Sequence, residues 1–364
     1  MKDLVKFNLK KKSKITLTKL CLVGIKGLPA NYGGFETFAE NLVLKTKDKI
    51  QWTVYGEQME KKFSQDNNFK SVTIPIKANG YQSMLHDALA IFHSVIFEKP
   101  EKILILGYSG SWVLPFLRLF SKQKILTNID GLEWRRDKYN YFTKKLLYFL
   151  EQLAIIFSHK VIIDNSALIK HINPRFRHKV VTLEYGGDNP FINRYKDLVT
   201  PKYYYSISRI VPENKVEIIL EAFTQSDAEL FYMGNWTNSE YGRKLQSKYS
   251  NISNIHLLDP EYDIELVTKF RLEGKVYVHG HSVGGTNPSL VEAIQCNNSF
   301  ICFDCDYNKA TLENNGNYFF NKEDLIKIIT TEPIILKEKT LSKLRAKYSW
   351  DRIVYEYLTT IKNT

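Results

Sequence analysis

Cysteine is scarce in this sequence: Cys21, Cys296, Cys302 and Cys305 are the only four in 364 residues. That excludes a disulfide-stapled scaffold and fits a reducing, cytoplasmic setting. No uninterrupted apolar run approaches the ~20 residues that a membrane-spanning helix requires. Ile15–Val23 is too broken by Thr and Lys to serve as a signal-peptide core. Two familiar phosphate fingerprints are also missing. Gly24, Gly27 and the Gly33-Gly34 pair do not have Gly-x-Gly-x-x-Gly spacing, and no Lys-Ser/Thr pair follows them, which argues against a dinucleotide fingerprint and an ATP-hydrolysing P-loop. Cys302-x-x-Cys305 lacks a second pair and so does not form a zinc motif. Acidic residues are outnumbered, 39 against 51 Lys and Arg, leaving a net charge of +12.

What is present suffices for two globular domains. Hydrophobic residues make up 44% and aromatics 13%, enough for substantial cores. Short apolar stretches such as Lys102–Leu106, Val276–Val278 and Ser299–Phe303 alternate with segments of helical spacing, the pattern of parallel sheets covered on both faces. The spacing predicts strands at Ile50–Tyr55, Ser71–Ile76 and Lys124–Ile129. It predicts helices over Ser83–Phe97, Trp112–Phe120 and Thr143–Ser158. Asn189–Pro201 has no periodicity and reads as a linker. The expected division is 1–190, 202–345, and a C-terminal helix at 346–364.

Two stretches carry the chemistry. Tyr277 to Ala293 reads as a strand, a polar glycine loop and a helix opening at Pro288, where the missing N–H costs nothing. Free amides and the dipole of such a helix favour an anion, and Glu292, one turn inside, can accept from ligand hydroxyls. Near the other end, Gly24 to Gly34 repeats the arrangement ahead of a helix carrying Phe35, Phe38, Ala39, Leu42 and Val43. Ligands of doubly wound sheets sit beyond the carboxyl ends of the strands, so one such loop per domain points to a site in the cleft between them. Phosphate donors beside a hydroxyl-seeking carboxylate suggest a nucleotide-sugar. The plain alternative for each loop is a strand-to-helix turn.

The basic charge needs a partner. Lys2, Lys6, Lys10, Lys11, Lys12, Lys14 and Lys19 crowd the start, and Trp134 to Lys145 is both basic and aromatic. No nucleic-acid-binding motif accompanies them. An anionic membrane surface fits better, since each lysine near lipid contributes about 1 kcal/mol; a solvated basic surface is the alternative. The Trp134–Lys145 segment leads into an apolar helix, either core-facing or docking to the inner leaflet.

Four motifs together resemble a known family: Gly27-Leu-Pro-Ala-Asn-Tyr-Gly-Gly-Phe-Glu36, Asp130-Gly-Leu-Glu-Trp-Arg135, Arg209-Ile-Val-Pro-Glu-Asn214, and His279-Gly-His-Ser-Val-Gly-Gly-Thr-Asn-Pro288. They resemble the retaining glycosyltransferases of GT-B architecture in the glycogen-synthase-like group, most closely the bacterial β-1,4-rhamnosyltransferases of capsule and cell-wall polysaccharide assembly. The resemblance implies an α/β fold of two Rossmann-like doubly wound domains facing across a cleft, with a C-terminal helix crossing back to the N-terminal domain. It implies a nucleotide-sugar donor, dTDP-rhamnose favoured, and a polyprenyl-diphosphate-linked sugar acceptor at the inner face of the plasma membrane. No cofactor or metal is expected.

Residue by residue, the resemblance gives Glu292 the ribose and Arg209 the diphosphate. The lysine usual five positions after Arg209 is replaced by Asn214, with Lys215 next. Gly33 and Gly34 match the loop closing over diphosphate and acceptor. Gly284, Gly285, Thr286 and Asn287 match the loop whose amides hold sugar hydroxyls, and His281 joins the donor side. Tyr32, Phe35, Glu36, Glu133 and Trp134 fall on the acceptor side. Asp130, Arg209 and Glu292 are the candidate catalytic residues, with a loop-capping role the alternative for Asp130. Gly284 stands where many relatives have a first glutamate, and Asp130 where many have a histidine near the sugar's O6, consistent with a 6-deoxy donor. His279 and His281 read as ligand contacts or loop packing, and Asp304-Cys-Asp306 as a capped turn rather than a metal signature. A UDP-sugar donor and a catalytically silent scaffold are the competing readings.

Overall fold

The computed structural model describes residues 17–30 and 33–364; Tyr32 and the lysines before Lys19 lie outside the described residues. Seven strands build a first sheet: β1 (Thr18–Val23), β2 (Ile50–Gly56), β3 (Lys70–Thr73), β4 (Lys102–Leu106), β5 (Lys124–Asn128), β6 (Lys160–Ile163) and β7 (Val180–Thr182). Six build a second: β8 (Tyr203–Ile207), β9 (Leu230–Met233), β10 (Ile255–Leu258), β11 (Gly274–His279), β12 (Phe300–Phe303) and β13 (Asn317–Phe319). Their orders are β3-β2-β1-β4-β5-β6-β7 and β10-β9-β8-β11-β12-β13. All pairings between these strands are parallel. Such strands are covered on both faces, which is why β4 (Lys-Ile-Leu-Ile-Leu) is apolar without alternation. Strand order reverses between β1 and β4 and again between β8 and β11, and each reversal leaves a crevice at the carboxyl edge.

The helices are α1 (Gly34–Thr46), α2 (Lys61–Asp66), α3 (Gln82–His93), α4 (Leu114–Phe120), α5 (Tyr141–Phe157), α6 (Pro190–Tyr195), α7 (Val216–Phe223), α8 (Glu240–Tyr249), α9 (Ile264–Glu273), α10 (Pro288–Cys296), α11 (Asp306–Thr311), α12 (Lys322–Thr330), α13 (Glu338–Lys347) and α14 (Trp350–Asn363). In the first domain α1 and α14 share one core with Leu20, Leu22, Trp52 and Leu104. Helices α3 and α4 pack on the opposite face through Ala88, Ile91, Leu114 and Leu117. Helix α5 continues that layer with Leu150, Ala154 and Ile155.

The return of α14 to the first domain is built by its amphipathic spacing. Trp350, Ile353, Val354, Tyr357 and Ile361 are buried. The Tyr357 ring lies 4.6 Å from that of Phe38, and its hydroxyl accepts from Asn128 at 2.9 Å. The first domain is therefore completed by residues some 300 positions from its start, roughly what the resemblance implies.

Several elements differ from the sequence expectation. The expected linker holds α6, capped by the Asn189 side chain, which accepts from the Phe191 amide, and α6 lies on α9. Six residues are too few to show a helical period. Strand β3 ends at Thr73, short of the expected Ile76. Helices α2, α8, α9, α12 and α13 were not anticipated. Helix α8 has only three buried residues, Gly242, Leu245 and Tyr249, so its apolar signal is thin.

Under α5, Glu151 is buried and its Oε2 accepts from the Trp134 indole at 3.1 Å. Burial pushes its carboxyl up to about 7, against the Trp134 hydrogen bond and the Arg135 charge, which pull it down. A carboxyl raised in this way contributes stability below its unfolded value that is lost as pH rises through the folded one. Glu151→Gln keeps an acceptor for Trp134 and removes the charge. It should match the natural protein near pH 4.5 and exceed it at pH 8 by up to ~3 kcal/mol in denaturant unfolding; equal stability at both pH values would show that Glu151 titrates normally.

Candidate active site

The carboxyl edges of the two sheets face each other, and their glycine loops meet. A Cβ on Gly34, the first residue of α1, would sit 3.3 Å from Cγ of Pro288, the first residue of α10. Two helix N-termini, one from each domain, thus converge on one point with their partial positive charges. On the other side, a Cβ on Gly131 would fall 2.8 Å from Cα of Gly284, and one on Gly285 would strike the Asp164 carboxylate. Only glycine permits backbone to approach this closely. Gly284 itself, at φ 129°, has open space where a side chain would stand, as a loop that receives a ligand requires.

Thr286 and Asn287 have structural duties. The buried Thr286 hydroxyl donates to the Asp164 carbonyl at 2.6 Å and accepts from Asn165 Nδ2 at 3.1 Å. Asn165 also donates to the Tyr307 carbonyl and the Thr311 hydroxyl. Together they join the domains. Asn287 caps α10, accepting from the Ser289 amide at 3.0 Å. The Thr286 hydroxyl is thereby committed to the join, while the Asn287 side chain keeps its amide N–H groups outside the cap.

Glu292 projects one turn into α10, half-exposed, with Oε2 held at 2.6 Å by the buried guanidinium of Arg271. Arg271 also donates to the Ser289 carbonyl at 3.1 Å. Burial raises the Glu292 carboxyl while Arg271 opposes it. One carboxylate oxygen is therefore fixed and the other left to accept. Sequence reasoning missed Arg271, which sits on the unanticipated helix α9 and carries no motif.

Arg209, after β8, is exposed, and its carbonyl accepts from Asn214 Nδ2 at 2.7 Å. Asn214 is buried and closes its own loop, so it does not stand in for the expected lysine. Lys215 has left-handed backbone (φ 50°) and carries its ammonium 5.0 Å from the centre of the Phe303 ring. His281 stacks on His279 with ring centres 4.4 Å apart. Burial, then Arg209, then Arg136 push His281 down to about 3, so it is neutral at physiological pH. Arg136, from the first domain, was not foreseen. It pairs with Glu133 at 2.6 Å and adds a second guanidinium to the histidine's surroundings.

Asp130 ends β5 in left-handed backbone, φ 53°, its amide donating to Asn128 Oδ1 at 2.9 Å. For a non-glycine residue this costs of order 1–3 kcal/mol and persists where the surroundings fix it. Its carboxyl neighbours that of Asp164, a buried residue that ends β6 and was also unforeseen. Burial and Glu133 raise Asp130, with the hydrogen bond from Asp164 opposing; burial and the Asp130 charge raise Asp164 well above the usual range. Two neighbouring carboxyls away from water disfavour a second negative charge, so both are held above the usual carboxylate range.

The acceptor-side candidates are distributed around this point. Phe35 packs, half-buried, near Gly107 at the carboxyl end of β4. The buried Glu36 accepts from the Lys26 amide at 2.9 Å and so bends its own loop. Trp134 lies against Tyr148 and under Arg135. Asp304 and Asp306 each pair with a lysine, Lys309 and Lys170 respectively; among the described residues no cluster of three or more His, Cys, Asp or Glu is placed to hold a metal. A separate cavity of about 470 Å³ opens at the hinge beside Asn41, Asp188, Lys196 and Trp350, away from all of these residues.

Two Rossmann-like parallel-sheet domains with facing carboxyl edges, and a C-terminal helix returning to the first, define the GT-B fold. HepE of Anabaena, crystallised with UDP, shares it at a TM-score of 0.69 and 13% identity, over 96% of this chain and 100% of that one. Sucrose-phosphate synthase of Thermosynechococcus elongatus does so at 0.74 and 12%, over 95% and 98%. A glycosyltransferase from Rickettsia africae does so at 0.70 and 12%, over 96% and 100%. A family model described as a domain of unknown function, DUF1972, matches residues 17–188, the first domain. No curated protein matches the sequence significantly.

The backbone contact at Gly131 is testable. Gly131→Ala should destabilise the protein by ~1–3 kcal/mol by overpacking against Gly284, read as a lowered Tm. An unchanged Tm would mean that the two loops separate freely in solution.

Proposed function

We propose that this chain is a retaining glycosyltransferase that moves L-rhamnose from dTDP-rhamnose to a sugar linked to polyprenyl diphosphate, in bacterial capsule or cell-wall polysaccharide synthesis. The observation that carries the reading is the convergence of the α1 and α10 N-termini in one cleft, with the Arg209 charge close to His281 in the loop that leads into α10. Such a site suits a diphosphate that gains charge as it leaves. Glu292, held by Arg271, offers its free oxygen to the ribose hydroxyls.

In the proposed step the acceptor oxygen bonds to the anomeric carbon as the bond from that carbon to the diphosphate oxygen breaks. The nucleoside diphosphate departs, and the acceptor proton passes to its freed oxygen. Departure and attack occur on one face of the sugar, so configuration is retained. Arg209, Lys215, the neutral His281 and the two helix ends stabilise the departing charge, and the step calls on no metal. The backbone of Gly33, Gly34 and residues 284–287 closes around diphosphate and sugar. Asp130 orients sugar or acceptor, with Phe35, Glu36, Glu133 and Trp134 on the acceptor side; holding the hydroxyl near the reacting carbon supplies much of the rate.

A UDP-sugar donor is the second reading, favoured by the HepE structures with UDP and UDP-glucose. Calorimetry decides between them. Tighter binding of dTDP than UDP, with rhamnose transfer from dTDP-rhamnose, is expected; a preference for UDP overturns the rhamnose assignment, and binding of neither favours a silent scaffold.

Two variants test the roles. Glu292→Gln keeps a hydrogen-bond acceptor for the buried Arg271 but removes its counter-charge, so it should lower the Tm and weaken nucleotide binding roughly tenfold or more. Arg209→Ala should cut turnover on the order of 100- to 1000-fold with little change in Tm, because the side chain is exposed. Full turnover in the Arg209 variant would remove it from the mechanism.

A further inference from the structure

Among the described residues, most of the large apolar side chains that stand exposed lie on three neighbouring helices of the first domain or on the turns that flank them, Tyr81, Ile96, Phe97 and Trp112 included. Helix α3 shows Leu85 and Leu89, and the turn beyond it Ile96 and Phe97. Helix α4 shows Phe116, Leu119 and Phe120; α5 shows Tyr141, Phe142, Tyr148, Phe149 and Ile156. Phe142, Phe149 and Ile156 recur at intervals of seven and form one stripe. Of the two readings of this helix, core-facing or docking, Leu150 and Ala154 follow the first and turn inward, and the outer stripe is a second apolar face on the same helix. An apolar stripe on the solvent side of a helix, opposite its core-facing side, marks a surface that meets a partner.

The three helices form one continuous layer. Helix α4 lies against α5. The Tyr81 hydroxyl at the start of α3 is 3.1 Å from that of Thr143 at the start of α5, and the Trp112 indole donates to the Met84 carbonyl at 3.1 Å. The 17 residues of α5 make the layer about 25 Å long at 1.5 Å per residue. Basic side chains stand exposed at both ends, Lys138 and Lys145 towards the cleft, Lys99, Arg118 and Lys122 away from it. The only carboxylates within the three helices, Asp87 and Glu151, are buried beneath them.

We propose that the outer face of α3, α4 and α5 is a docking surface for an anionic lipid bilayer. Aromatic and aliphatic side chains enter the headgroup region, and the basic rims contact lipid phosphates. A second copy of the chain is disfavoured, because the exposed cations of the rims, Lys99, Arg118, Lys122, Lys138 and Lys145, outnumber the exposed carboxylates beside them, Asp137 and Glu101, so two such faces bring net like charge together. Among the described residues no helix is long and apolar enough to cross a membrane, so attachment by this face is peripheral. Docking here leaves the start of α5, beside Trp134 and Tyr139, close to the bilayer at the cleft mouth. This inference rests on the proposed lipid-linked acceptor for its purpose, not for its evidence.

The test is co-sedimentation of the full chain with phosphatidylglycerol–phosphatidylcholine vesicles and with phosphatidylcholine vesicles alone. Phe120 and Phe142 are 84% and 81% exposed, so Phe120→Ser/Phe142→Ser should fold normally, with unchanged nucleotide binding. The expected result is binding to the anionic vesicles that weakens with salt and falls at least tenfold in the double variant. Lys145→Gln should lose about fivefold. The proposal is overturned if the natural protein ignores the vesicles or if the double variant binds equally well, which would assign binding to another segment. It is also overturned if sedimentation shows a dimer that the double variant dissociates. Nucleotide binding reports the cleft alone, so failure of the surface and failure of the donor assignment give different results.

Discussion

The hydroxyl of Thr286 bonds on one side to the backbone of β6 and on the other to Asn165, and the cleft takes its shape from that join. Its position is set by close backbone approach, since Gly131 lies on Gly284 and the Asp164 carboxyl on Gly285. With those contacts made, the N-termini of α1 and α10 have no choice but to face one another. Side chains on separate sheets, which share no local sequence, are thereby brought into one electrostatic environment. The crossing of α14 reinforces the arrangement by making the core of the first domain depend on the last residues described.

Charge in the cleft is arranged in two layers. Exposed or neutral groups, Arg209 and His281, stand where a ligand can reach them, and buried partners fix their neighbours. Arg271 holds Glu292, and the buried Asp164 adds a second acidic group to the neighbourhood of Asp130. A buried partner costs desolvation and is tolerated where it orients a group whose geometry matters. Beside these groups Gly284 stands in backbone that side chains rarely adopt, φ 129°, with open space where a side chain would be.

The first domain is asymmetric in a second respect. One face of its sheet is sealed by α1 and α14; the other is covered by α3, α4 and α5, whose own outer surface remains apolar. That face and the cleft meet near Trp134 and Tyr139, which connects the surface chemistry of the domain to the site between the domains.

Much of this was legible in the sequence. The apolar strands, the two glycine loops, Pro288 opening α10, and the helical spacing of α1, α5 and α14 each depend on a local period or a local backbone requirement, and the structure carries them. Arg209, Lys215, His281 and Glu292 stand at or just beyond the carboxyl ends of β8 and β11 because each strand-to-helix loop is encoded locally, while the pairing of β8 with β11 brings those ends together. What tertiary structure alone decided were the pairings across the cleft and between elements. Asn214 turned to its own loop, and Glu36 turned to Lys26. Arg271, Asp164 and Arg136 joined the site without any motif, and the outer stripe of α5 stayed uncovered. The Asn214 and Glu36 contacts are side-chain choices within a loop that no periodicity records. The others depend on which surface meets which after the chain has folded, and partners such as Arg271 and Glu292 or Asp164 and Thr286, 21 and 122 positions apart, carry no local signal of becoming neighbours.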